Sequence, residues 1–145
     1  MTASPPRAVI REVPRRPAPA QRSTLWAQER RSFGYAFQGI GHAWRTQRHL
    51  RIHVALGLMA AGAAMVLGIA AAEWAALLGV ITLVIALELL NTVVEAAVDI
   101  ASPGFHPKAK VAKDVAAGAV LVSAIGAALV GAAIFIPRLV ALLPR

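Results

Sequence analysis

Glu88, Asn91, Glu95 and Asp99 fall within one run, "ELLNTVVEAAVD", residues 88–99. At about 100° per residue, Glu88, Glu95 and Asp99 lie within about 40° of one another on a helix, with Asn91 about 60° to one side. Carboxylates aligned in this way can hold a hard divalent cation through oxygen, and one of them can take a proton from a hydroxyl. Yet the run continues an apolar stretch that opens at Trp74. An acid at the bilayer centre costs about 2.5–3.5 kcal/mol, so three would cost roughly 8–10 kcal/mol. The fourteen Leu, Ile and Val residues between 77 and 100 return only about 6 kcal/mol at ~0.3–0.6 kcal/mol each.

Depth relieves the conflict. Counted from Trp74 at ~1.5 Å per residue, a ~30 Å hydrocarbon core ends near Val94. Glu95 then sits at the boundary, Asp99 beyond it, and Glu88 about one and a half turns inside. The stripe becomes a cleft open to water whose deepest carboxylate lies at lipid-tail depth. The following loop, "IASPGFHPKAKVAKD", supplies His106, Lys108, Lys110, Lys113 and Asp114. Carboxylates for Mg²⁺, a lysine for phosphate charge and an embedded acid to accept a proton suit phosphoryl transfer to a lipid alcohol. No Walker-type glycine loop is present, so the P-loop route is excluded. Taken alone, the same acids would equally serve an ion or proton path, or fasten helices together. Asn91 has a plainer use as an interhelical hydrogen-bond former. His49 and His53, at i and i+4, read either as a metal pair or as interfacial histidines. His106 reads as a nucleotide contact or as the cap of a turn.

The elements that must position these residues follow from hydropathy. Residues 1–31 form a Pro/Arg-rich tail; five prolines and five arginines before residue 29 leave too little apolar surface to offset the entropy of ordering. From Ser32, Phe33, Phe37, Ile40 and Trp44 recur at helical spacing, predicting an amphipathic surface helix over about 32–50. Three spans follow over about 52–72, 74–100 and 113–136, inside a domain of residues 32–137 that leaves 138–145 as a short tail. The fold class is therefore an all-α membrane protein of three transmembrane helices plus the surface helix. Ser102-Pro103-Gly104 ends the second span, and His106-Pro107 is expected to delay the third. There is no cysteine, which excludes disulfides and thiolate metal sites.

Charge orients the chain. The formal net charge is +8, and ten of the fifteen Lys and Arg residues precede Ile52. That crowding before apolar spans is a membrane pattern, not a nucleic-acid surface. It places the N-terminus and the Lys108–Lys113 loop in the cytoplasm.

"ELLNTVVEAAVD", "HPKAKVAKDVAAGAVL" and "SFGYAFQGIGHAWRTQRHLRIH" together resemble the prokaryotic diacylglycerol kinase and undecaprenol kinase family, over roughly residues 32–136. The resemblance implies a homotrimeric bundle in the bacterial inner membrane, with sites between protomers that use ATP and Mg²⁺. It implies Glu88 as the catalytic base, Glu95 as a metal ligand and Asn91 as a site-ordering residue. Lys113 and Asp114 match its nucleotide-binding pair, with Tyr35, Asp99 and His106 as further nucleotide contacts. Gln47 stands where the family has a second metal-binding glutamate, and is expected to be a weak ligand. The implied activity is phosphorylation of a lipid alcohol, with the text around Leu50-Arg51-Ile52-His53 leaning to undecaprenol over diacylglycerol. A non-catalytic or proton-translocating membrane subunit is the alternative from another class.

Overall fold

A computed structural model describes residues 25–142; residues 1–24 and 143–145, and with them most of the expected N-terminal tail, lie outside the described residues. The described chain is all helix: α1 (Leu25–Thr46), α2 (Arg48–Leu67), α3 (Ala71–Ala101) and α4 (Pro107–Ala141). Two compact units divide the chain between Gly34 and Tyr35. The described part of the first is the opening of α1, and the second holds everything from Tyr35 onward.

The surface helix starts at Leu25 rather than Ser32 and stops at Thr46, so residues 48–50 belong to α2. The break falls on Gln47, whose backbone is extended at φ −99° and ψ 112°. Its amide still bonds back to the Ala43 carbonyl at 2.7 Å. On α1 the side chains of Phe37, Ile40 and Trp44 are all exposed, and no other helix packs on them. An amphipathic helix whose apolar face meets no other helix among the described residues suits a lipid–water interface.

Helices α2, α3 and α4 are each long and apolar enough to cross a membrane. Their outer faces display large apolar side chains, Leu56, Met65, Val66, Leu121 and Leu129 among them. In water such a surface would aggregate; in hydrocarbon it is ordinary solvent contact. Helix α3 packs along α4, and α2 lies mainly on α3.

The turn between α2 and α3 is three residues, 68–70. Gly68 adopts φ 60°, ψ 51°, the left-handed conformation that glycine takes without Cβ strain and that commonly ends a helix. Beside this turn Ala64, Ile69, Leu77 and Ile134 form the buried core, with Trp74 and Phe135 packed on it. Arg138 near the end of α4 grips Glu73 in the first turn of α3 through two bonds of 2.9 and 2.6 Å. A little further along, Gly57 of α2 approaches α3 closely enough that an added Cβ would lie 2.9 Å from Ile81 Cγ2.

Helix α4 departs from expectation at both ends. Pro107 does not hold it back; it is the first helical residue, behind an N-cap at His106. The first-turn N–H groups of a helix have no intrahelical partner, so a proline there loses nothing and its fixed φ suits the helix. At the other end α4 runs through Pro137 to Ala141, where Arg138 also donates to the Ile134 carbonyl at 2.7 Å.

Candidate functional site

Glu88, Asn91, Glu95 and Asp99 occupy the half of α3 away from the Gly68 turn. Asn91 and Glu95 are one helical turn apart, and Asn91 Nδ2 donates to Glu95 Oε1 at 3.0 Å. The other carboxylate oxygen, Oε2, receives Gln47 Nε2 at 3.4 Å. The extended backbone at Gln47 is what turns that side chain toward α3 instead of along α1. Glu88, two turns deeper, is only 4% exposed. Its backbone carbonyl accepts from Thr92 Oγ1 at 3.0 Å, which leaves the carboxylate free of that bond.

These side chains line one cleft of about 410 Å³. Gln47, His49 and His53 form the α2 wall, and Glu88, Asn91 and Glu95 form the α3 wall. Helix α4 contributes only Ala117, Val120, Leu121 and Ala124. The cleft is thus polar on two sides and apolar on the third. Asn91 Oδ1 is buried without a hydrogen-bond partner, and such an atom is costly unless something completes it.

A second cleft, of about 350 Å³, opens where α3 meets α4 and holds Asp99, His106, Lys110 and Lys113. Lys113 Nζ lies 2.5 Å from Asp99 Oδ1. His106 closes the start of α4: its Nδ1 accepts the Lys108 N–H at 3.2 Å. Both of its lysines are ion-paired, Lys113 with Asp99 and Lys110 with Asp114, so an arriving phosphate would have to compete with those carboxylates for them.

The acid stripe is therefore divided. Glu88 and Glu95 face the first cleft with Asn91 and Gln47, while Asp99 has turned to the second. Lys113 and Asp114, neighbours in sequence, are separated by the ~100° step of the helix. Lys113 reaches Asp99, whereas Asp114 is 59% exposed, pairs with Lys110 on its own helix and lines neither cleft. Tyr35, 69% exposed, also lines neither. His53 is the addition: its side chain faces the same cleft as Glu88, and the i, i+4 spacing with His49 was the signal for it.

The donors suit a small hard cation only in part by themselves. Among the described residues no three His, Asp or Glu side chains converge. Glu95 and the unpartnered Asn91 Oδ1 nevertheless offer oxygens on one face, with the Gln47 amide beside them. Mg²⁺ characteristically takes one or two protein carboxylates and completes its shell with water and substrate phosphate. The residues present fit that use.

Comparison with known proteins bears on this arrangement. A family model described as prokaryotic diacylglycerol kinase matches residues 34–135. The chain is similar to a diacylglycerol kinase of Synechocystis sp., 44% identical over 113 residues, 77% of this chain and 65% of that protein. It is similar to the undecaprenol kinase of Bacillus subtilis, 38% identical over 109 residues, 75% of this chain and 89% of that protein. A diacylglycerol kinase of Pseudomonas aeruginosa is 32% identical over 107 residues, 74% of this chain and 87% of that protein. The match spans just under two thirds of the Synechocystis protein, at 65%, and most of the other two, at 89% and 87%.

Proposed function

The chain belongs to the prokaryotic diacylglycerol kinase family, and on that premise we propose that it is a membrane lipid kinase that moves the γ-phosphoryl group of ATP to the hydroxyl of undecaprenol. The observation that carries the reading is the pairing of a buried carboxylate, Glu88, with an amide-held carboxylate, Glu95, in one cleft. Beside it lies a second cleft lined by Lys110 and Lys113, each paired with an aspartate.

The chemistry follows from these positions. Glu88, at lipid-tail depth, accepts the proton as the lipid oxygen attacks phosphorus. Little water reaches a residue so enclosed, which favours transfer to the lipid over hydrolysis. Lys113 and Lys110 meet the phosphate charge, and Asp99 holds Lys113 in place. Glu95, Asn91 Oδ1 and the Gln47 amide would hold Mg²⁺, which when bound offsets the charge on the phosphates. Asn91 also keeps Glu95 oriented through its 3.0 Å bond.

Undecaprenol is preferred over diacylglycerol on the text around Leu50-Arg51-Ile52-His53 and on the size of one groove. An apolar groove adjoining the Glu88 cleft measures about 280 Å³, just below the ~300–1,000 Å³ usual for ligand pockets, which suits one chain better than two side by side. We place the protein in the bacterial inner membrane with the N-terminus and the Lys108–Lys113 segment in the cytoplasm, as the basic residues direct. The resemblance also implies a homotrimer, with sites completed between protomers.

The deciding experiment is the purified protein in detergent with labelled ATP, Mg²⁺ and either undecaprenol or diacylglycerol. Label on undecaprenol supports the full reading. Label on diacylglycerol alone keeps the kinase and corrects the substrate, and label on neither overturns the reading.

A further inference from the structure

The cleft that holds Glu88 and the apolar groove are adjoining cavities. They share two lining residues, His53 and Ala124. The groove descends between α2, α3 and α4, past Gly57, Ala60, Ile81, Ala127 and Gly131. His53 is the single polar side chain on its lining.

The register of the α2–α3 hairpin fixes the depth of His53. Gln47 lies across from Glu95, and Gly57 lies against Ile81. His53 falls between these two contacts, and interpolation in antiparallel helices sets it opposite about residue 87. That is about one residue from Glu88, or ~1.5 Å along the axis. His53 and Glu88 thus stand at one level, on opposite walls of one cleft, where the polar space gives way to the apolar groove.

We propose that His53 is the residue that orients the lipid alcohol, holding its hydroxyl beside Glu88 while the adjoining carbons of the tail enter the groove. The proposal rests on the kinase reading and adds to it a hydroxyl-binding residue and a tail path. A hydroxyl has one hydrogen and two lone pairs. The hydrogen points to Glu88, the imidazole N–H donates to one lone pair, and the other lone pair faces phosphorus. As the O–P bond forms, the bond from phosphorus to the departing nucleotide breaks and the O–H proton passes to Glu88. His53 neither gains nor loses a proton.

The test uses the full chain in detergent micelles, with a long polyprenol and a short-tailed allylic alcohol as acceptors. In His53→Leu, kcat/KM for the long polyprenol falls at least ~10-fold, as expected when a hydrogen bond to the reacting group is lost, and KM for ATP holds. His53→Gln, which keeps an N–H donor, recovers part of the loss. Ala127→Leu, which narrows the groove away from the polar cleft, raises KM for the long polyprenol far more than for the short alcohol. Wild-type rates in His53→Leu overturn the proposal. So does a loss that His53→Gln does not relieve, an equal rise in KM for ATP, or an Ala127→Leu defect blind to tail length. A wild-type protein that labels no lipid alcohol overturns the kinase reading itself.

Discussion

Gln47 and Glu95 are 48 positions apart in the chain, yet the amide of one donates to the carboxylate of the other across 3.4 Å. This contact ties the break between α1 and α2 to the middle of the polar face of α3. It also brings the residue that departs from the family pattern directly onto the proposed metal ligand. Gln47→Glu is therefore expected to set two carboxylates side by side. The Mg²⁺ concentration for half-maximal activity should drop several-fold, and Mn²⁺ binding followed by spin resonance should tighten. Without divalent cation the same variant should unfold more easily, because the two charges repel.

Glu88→Gln keeps the shape of a nearly enclosed side chain and removes its basicity. Turnover should fall by about 10²–10⁴, the usual contribution of a positioned base. Resistance to unfolding should hold, since the amide keeps the shape of the buried side chain. Near-normal turnover would show that the proton goes elsewhere.

Lys113→Met should act on the nucleotide alone. The lysine faces the second cleft and its partner is Asp99, so KM for ATP is expected to rise about tenfold or more while KM for lipid holds. Asp114→Asn frees Lys110, which lines the second cleft, but leaves Lys113 and Asp99 paired, so its effect on KM for ATP should be milder. A steady-state comparison of the two variants checks the division of roles between adjacent residues.

Gly57→Ala should destabilise the α2–α3 hairpin. The new methyl would meet Ile81 Cγ2 at 2.9 Å, and overpacking of this kind costs about 1–3 kcal/mol. Unfolding in mixed micelles should register the loss, and Ile81→Ala in the same chain should return most of it.

Arg138→Gln and Glu73→Gln should each lower the unfolding midpoint, and the double variant should lose less than the sum. The pair is bidentate, a geometry that gives ion pairs direction as well as charge. It is also partly solvated, with side chains 29% and 32% exposed, so added salt should shrink the coupling. Strict additivity would mean the two residues act independently.

The fold was readable because hydropathy in a membrane chain is a strong signal. Three spans long enough to cross, with little charge inside them, have few alternative readings. The boundaries were harder. Pro107 reads locally as a breaker, but its effect depends on whether it falls inside a helix or at its first position, and only the His106 cap decides that. The end of α1 at Thr46 carries no proline or glycine to mark it; the break at Gln47 is seen in the fold alone. In the site, the i, i+3, i+7 spacing of Glu88, Asn91 and Glu95 was enough to place them on one face. The departure of Asp99 to another cleft was not readable, because it depends on where α4 meets α3. The placement of His53 depended likewise on the register of two antiparallel helices, which no periodicity within either helix contains.

The Gly68 turn has a practical corollary. Three residues make that turn a poor soluble handle: a protease finds almost no loop to cut there, and an antibody almost no epitope. A tag or reporter inserted there would force the hairpin apart and shift Gln47 relative to Glu95. Attachments belong at the opposite rim, and labelling experiments that probe sidedness should expect little signal from the α2–α3 turn itself.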